Sequence, residues 1–70
     1  MIKRGTLISH ADIINENWIA RVTGINGNAM TVDIYSDTGD EWHEVWNYAH
    51  VQVGLREGEY YIVGICRGDS

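Results

Sequence analysis

Two groups of side chains have types and spacings that could do chemistry. The segment His43-Glu44-Val45-Trp46-Asn47 begins like the helix of a zinc protease, but asparagine stands where the second histidine ligand is required. The second group is the cluster of carboxylates Asp37, Asp40 and Glu41, in which the stretch from Asp37 to Asp40 allows a loose cation site. A helix cap with acidic first-turn residues explains these carboxylates more simply. The sequence therefore predicts no catalytic residue, no metal ligand and no cofactor.

Cys66 is the only cysteine of the chain, so no internal disulfide bond can form. Only Arg67 is a basic neighbour, and a half-buried strand cysteine is a better interpretation than a nucleophile. The core of a domain of this size is also thin, so it is poorly suited to hold a set of catalytic side chains rigidly. We therefore expect no enzymatic activity.

Chain length and the single thiol limit the class of protein. Seventy residues make one domain, residues 1–70, and a lone thiol fits a reducing cytoplasm. Residues 5–11 are too short and polar for the core of a signal peptide. No stretch approaches the roughly 20 apolar residues of a membrane span. We expect a cytoplasmic protein with no membrane association.

The charge balance bears on the partner. Ten acidic residues against five basic ones give a net charge of −5. Proteins that bind nucleic acids need a positively charged surface, because neutralising the phosphate charges supplies most of their affinity. The sequence therefore predicts a protein partner and no direct binding of nucleic acid, although acidity also keeps a small protein soluble.

The clearest element is a hairpin of residues 18–25 and 29–35, which both alternate in the strand period around Asn26-Gly27-Asn28. With three residues in the loop, only one register of the two strands places apolar residues opposite apolar residues and an acidic residue opposite a basic one. The predicted pairs are Ala20 with Ile34, Val22 with Val32, Arg21 with Asp33, Ile19 with Tyr35, and Thr23 with Thr31.

A second hairpin is predicted from residues 51–55 and 59–65 around Arg56-Glu57-Gly58, with Val51 opposite Val63 and Val53 opposite Tyr61. Residues 5–8 form a predicted first strand, and residues 10–17 a loop.

Residues 37–50 allow two interpretations. Trp42, Val45, Trp46 and Ala49 have the i, i+3, i+4, i+7 spacing of a helix. The same stretch is rich in poor helix formers, which favours a strand at 41–46 and a turn at 47–49 before the next strand.

The strand interpretation resembles Src-homology-type and Tudor-like small β-barrels. Trp18-Ile19-Ala20-Arg21-Val22 is similar to the Trp-x-Ala-x-Val of their second strand, and Glu41-Trp42 to the charged-Trp pair of the fourth. Residues 32–35 match the third strand, and residues 47–51 the turn before the last. The chain departs from this pattern after Leu55, where a further strand follows.

The helical interpretation resembles the small RNA polymerase inhibitors of podoviruses, acidic proteins with β-β-α-β order. The matching residues are Ala20, Val22, Val32, Ile34, Tyr35, Thr38, Asp40, Glu41, Glu44 and Val51. The resemblance implies that Asp40 and Glu41 grip the enzyme. The chain differs from that family at the final strand, where Gly64 and Cys66 stand in place of the family's arginine pair.

Aromatic residues are the most informative feature. Three tryptophans and four tyrosines occur with no phenylalanine, and both types are favoured where one end of the side chain is apolar and the other is wet. Trp18, Trp42 and Trp46 also suit the core of a domain that lacks phenylalanine. The predicted partner-binding residues are Tyr35, Asp37, Asp40, Glu41, Trp42, Tyr48 and Tyr61.

Together these observations predict a mainly β domain, a five-stranded small Src-homology-like barrel. The alternative is an α+β fold of β-β-α-β order with a helix at about 38–50. The predicted function is a non-enzymatic module that binds a peptide or protein through an aromatic face. The alternative is a phage-type inhibitor or decoy that binds a bacterial enzyme such as RNA polymerase through its acidic surface.

The sequence also predicts a homodimer. Residues 60–66 form a predicted terminal strand that is apolar on both faces, so we expect a second copy of the chain to cover its outward face. The alternative is a central strand that is covered on both faces within one chain.

Overall fold

The computed structural model describes residues 2–10 and 17–65. They form β1 (Thr6–His10), β2 (Trp18–Asn26), β3 (Ala29–Ser36), β4 (Glu41–Asn47), α1 (Tyr48–Glu57) and β5 (Tyr60–Ile65). The strands make one antiparallel sheet in the order β4-β3-β2-β1-β5. The prediction of a mainly β, five-stranded domain is confirmed. Residues 11–16 of the predicted loop, and Cys66 of the predicted terminal strand, lie outside the described residues.

The β2–β3 hairpin has most of the predicted register, with Val22 opposite Val32 and Arg21 opposite Asp33. The predicted three-residue loop is wrong, since only Gly27 and Asn28 form the turn and Gly27 has a φ of 63°. A bulge between Val22 and Gly24 makes Gly24, not Thr23, the partner of Thr31. The bulge adds back the residue that the shorter turn removes, so the remaining pairs keep the expected register.

One face of the sheet, here called the inner face, carries the core. Its strand residues include Ile8, Ala20, Val22, Val32 and Ile34, all buried. Alternation along each strand places the intervening side chains on the opposite, outer face. Helix α1 adds its buried Val51 to this core, and half-buried aromatic residues pack around it.

Strand β4 confirms the strand interpretation of residues 41–46, and the alternative helix at 38–50 is wrong. A helix does occur, but it begins only at Tyr48. The predicted hairpin of residues 51–55 with 59–65 is also wrong, because residues 51–55 belong to α1. Gly58, expected in a hairpin loop, ends the helix with a φ of 83°.

Asn28 and Asn47 explain where the helix begins. The side chain of Asn47 accepts a hydrogen bond from the backbone N–H of His50 at 2.9 Å. The backbone carbonyl of Asn28 accepts from the N–H of Tyr48 at 2.8 Å, and its side-chain oxygen accepts from the N–H of Ala49 at 2.9 Å. The β2–β3 turn therefore satisfies two backbone donors of the first helical turn.

Strand β5 pairs with β1 rather than with residues 51–55. It occupies one edge of the sheet and β4 occupies the other. In the described part of the chain, no helix is long and apolar enough to cross a membrane.

Candidate functional site

A cavity of about 450 Å³ lies at the inner face beside β4. Its described lining residues are Asn17, Trp18, Ile34, Ser36, Asp37, Trp42, Glu44 and Trp46. We call this cavity the tryptophan pocket, because all three tryptophans of the chain contribute to it. Its volume falls within the range of roughly 300–1,000 Å³ that is usual for ligand sites.

Strand pairing brings the three tryptophans together. Trp18 pairs with Ser36 at one end of the β2–β3 ladder, and Trp42 pairs with Ile34 across β3 and β4. Because side chains alternate along a strand, Trp42, Glu44 and Trp46 share the face on which Ile34 is buried. The indoles therefore reach the pocket from strands on either side of β3.

Glu44 holds two of the indole rings. Its Oε2 accepts a hydrogen bond from Nε1 of Trp42, and its Oε1 accepts one from Nε1 of Trp46, each at 2.8 Å. A carboxylate oxygen has two lone-pair directions, so each oxygen keeps capacity for another donor. Glu44 thus fixes the rings and leaves a negative charge at the pocket wall.

Trp18 and Trp46 belong to a series of ring contacts that continues into the core. The ring of His10 stacks on Trp18 with centroids 4.4 Å apart, and Trp18 meets Trp46 edge-on at 5.7 Å. Trp46 in turn stacks on Tyr60 at 6.0 Å. By contrast, 39% of the surface of Trp42 is exposed, which makes it the most accessible tryptophan of the pocket.

The pocket is acidic. Asp37 and Glu44 line it, and no lysine, arginine or histidine stands among its described lining residues. The backbone N–H of Asp37 donates to the carbonyl of Asn17 at 3.1 Å, which ties the acidic β3–β4 turn to the start of β2. Aromatic faces beside two carboxylates attract a cationic group.

The outer face carries a different arrangement around Asp33. Arg21 donates to Oδ2 of Asp33 at 3.2 Å, and Nδ1 of His43 donates to Oδ1. The hydrogen bond from His43, and next to it the contacts with Arg21, hold the pKa of the Asp33 carboxyl below its ordinary value against an opposing effect of desolvation. Within residues 2–10 and 17–65, no group of three or more His, Cys, Asp or Glu side chains is placed to hold a metal ion.

Two of the predicted partner-binding residues, Asp37 and Trp42, meet in the tryptophan pocket. Tyr35 and Glu41 lie opposite each other on β3 and β4, on the outer face, where the guanidinium of Arg21 lies 5.9 Å from the ring centroid of Tyr35. Asp40 is exposed in the β3–β4 turn, where its side chain accepts a hydrogen bond from Thr38 at 3.1 Å.

The remaining two candidates lie away from the pocket. Tyr48 begins α1 and packs against the core. Tyr61 lies on β5 at the other edge of the sheet and is 43% exposed. The seven residues therefore do not form one continuous surface.

Glu44 is the charged pocket residue that the sequence prediction missed. Its position between Trp42 and Trp46 was a usable signal, since residues two apart on a strand share a face. Trp18 and Trp46, which the sequence assigns either to the core or to a binding surface, pack against the core and also line the pocket.

In comparisons with known proteins, no family model, no curated protein and no solved structure matches this chain.

Proposed function

We propose that this protein is a non-enzymatic binding module that takes a basic side chain of a peptide or protein partner into the tryptophan pocket. The observation that carries the proposal is the meeting of Trp18, Trp42 and Trp46 with Asp37 and Glu44 in one cavity.

The chemistry of the pocket matches a lysine or arginine side chain. The indole faces offer apolar surface to its methylene stem and a cation–π attraction to its charged end. Tryptophan is also the residue type most enriched in the energetic centres of protein interfaces. The net charge of −5 adds a longer-range attraction for a basic partner.

Selection from a displayed library of random peptides tests the proposal. The immobilised proteins are the wild type, Trp42→Ala and the control Val45→Ala, which changes an exposed residue of the same strand on the outer face. We expect the wild type and Val45→Ala to enrich peptides with lysine or arginine beside apolar residues. Trp42→Ala should bind the selected peptides about tenfold more weakly or worse.

Circular dichroism first establishes that both variants are folded. Equal enrichment by Trp42→Ala and the wild type contradicts the proposal. Loss of binding in Val45→Ala alone moves the site to the outer face.

A second function, an acidic inhibitor or decoy for a bacterial enzyme such as RNA polymerase, is favoured by one feature. Asp37, Asp40 and Glu41 are all exposed within five residues at the β3–β4 turn. Binding through these charges weakens steeply as salt rises, whereas binding in an aromatic pocket keeps most of its affinity. Measuring the affinity for the isolated partner at low and high salt therefore distinguishes the two functions.

A further inference from the structure

Strand β5 is an apolar edge. Within the described residues it pairs on one side with β1, and no strand pairs with its other side. Tyr61, Ile62, Val63 and Ile65 are between 43% and 52% exposed, the densest run of exposed large apolar side chains along the described chain. An unpaired edge of this composition is a template for adding another strand.

The other edge of the sheet is built differently. Strand β4 carries Glu41, His43 and Glu44, and charged or polar side chains on an edge oppose pairing with another copy. Strand β5 has no charged residue and no proline from Tyr60 to Ile65. The bulge opposite Leu7 and Ile8 is the only feature of its described pairing that interrupts a regular ladder.

We infer that β5 binds β5 of a second copy of this chain, in antiparallel pairing about a two-fold axis. A two-fold axis sets the same strand against itself, so an uncharged apolar strand is its own complement. Two copies with a net charge of −5 repel each other, and they can approach most closely through a surface without charges. The acidic β3–β4 turn adjoins β4, the edge strand that does not take part in this interface.

Dimerisation has a physical benefit for so short a chain. A domain of this size buries a smaller fraction of its surface than larger ones, and oligomerisation is a common source of additional burial. The inference does not depend on the proposed function, because the pocket residue Trp42 lies on β4.

Sedimentation equilibrium of the whole chain at micromolar concentrations tests the inference. We expect a dimer mass that gives way to the monomer on dilution. Val63→Lys should raise the dissociation constant about tenfold or more, because a lysine on an edge strand opposes pairing with another copy of that strand. The control is Val45→Lys, which adds the same charge at a residue that is 68% exposed on β4, and it should leave the dimer intact.

A second variant keeps the test decisive if Val63→Lys does not fold. Ile65→Lys makes the same change at another exposed position of β5, and circular dichroism decides which variants are folded. A monomer mass of the wild type across the whole range overturns the inference. So does a dimer that neither folded β5 variant weakens, or one that Val45→Lys weakens equally.

Discussion

The rings of Trp46 and Tyr60 stack with centroids 6.0 Å apart and an interplanar angle of 22°, although their strands form opposite edges of the sheet. Neighbouring strands are about 4.8 Å apart, so four spacings would separate β4 from β5 by about 19 Å in a flat sheet. The sheet must therefore curl until its two edges approach. Helix α1 contacts both edge strands and lies between them in the chain. Aromatic packing and helix α1 thus bring β4 and β5 close together, although the described residues of these two strands do not pair with each other.

The first prediction concerns this contact. Tyr60→Ala should lower the free energy of unfolding by about 2–3 kcal/mol, less than for a fully buried aromatic residue because Tyr60 is only half-buried. A double-mutant cycle with Trp46→Ala should give a coupling energy of about 0.5–1.5 kcal/mol. Chemical denaturation measures all four proteins. Additive losses would show that the stacked rings do not hold the edges together.

Gly54 permits the helix to approach Tyr60. A Cβ atom at position 54 would lie 2.4 Å from Cδ2 of the Tyr60 ring. Gly54→Ala should therefore destabilise the protein by about 1–3 kcal/mol, despite the better helix propensity of alanine. The control is Gly64→Ala in β5, where an added Cβ meets no atom within 4 Å, and it should change stability little. A thermal unfolding midpoint of Gly54→Ala equal to that of the wild type would contradict this packing.

The β2–β3 hairpin could be predicted because its information is local. Arg21 opposite Asp33 and Val22 opposite Val32 satisfy one register, and a slip by one residue would spoil both pairs. The bulge at Thr23 could not be predicted, since its effect cancels that of the shorter turn.

Helix α1 could not be predicted because its determinants are distant or misleading. Val51 and Val53 alternate as in a strand, and β-branched residues have low helix propensity. The helix instead depends on Asn28, which lies 21 residues before Ala49 and binds its backbone N–H. For the tryptophan pocket, aromatic composition pointed to Trp42, whereas the hydrogen bonds of Glu44 to two indoles depend on side-chain positions that the strand pattern alone does not give.

A third prediction concerns the pH dependence of stability. The pKa of Asp33 in the folded protein is lowered, first by the hydrogen bond from His43. A group with a depressed folded pKa stabilises the fold above its unfolded pKa, and this contribution is lost as the pH falls through the folded value. The stability advantage of the wild type over Asp33→Asn should therefore begin to shrink below about pH 4, the ordinary pKa of an aspartate, and be lost once the pH is below the lowered folded pKa.

NMR titration of the Asp33 carboxyl carbon checks the cause. His43→Ala should raise the pKa of Asp33, whereas His50→Ala, which alters an exposed histidine of α1, should leave it unchanged. An unchanged pKa of Asp33 in His43→Ala would contradict the assigned hydrogen bond.

The last prediction separates the role of Glu44 from general acidity. Glu44→Gln keeps the size of the side chain but removes its charge and one of the two oxygens that accept from the indoles of Trp42 and Trp46. One indole then loses its acceptor, so the tryptophan fluorescence spectrum should change even without ligand. Affinity for a selected basic peptide should fall about 5- to 30-fold, as expected for losing roughly 1–2 kcal/mol of charge-assisted interaction. The matched control is Glu41→Gln, which removes the same charge from the same strand on the outer face. If Glu41→Gln weakens peptide binding as much as Glu44→Gln, the partner responds to the acidic surface as a whole. That result would support the acidic inhibitor or decoy function and contradict binding in the tryptophan pocket.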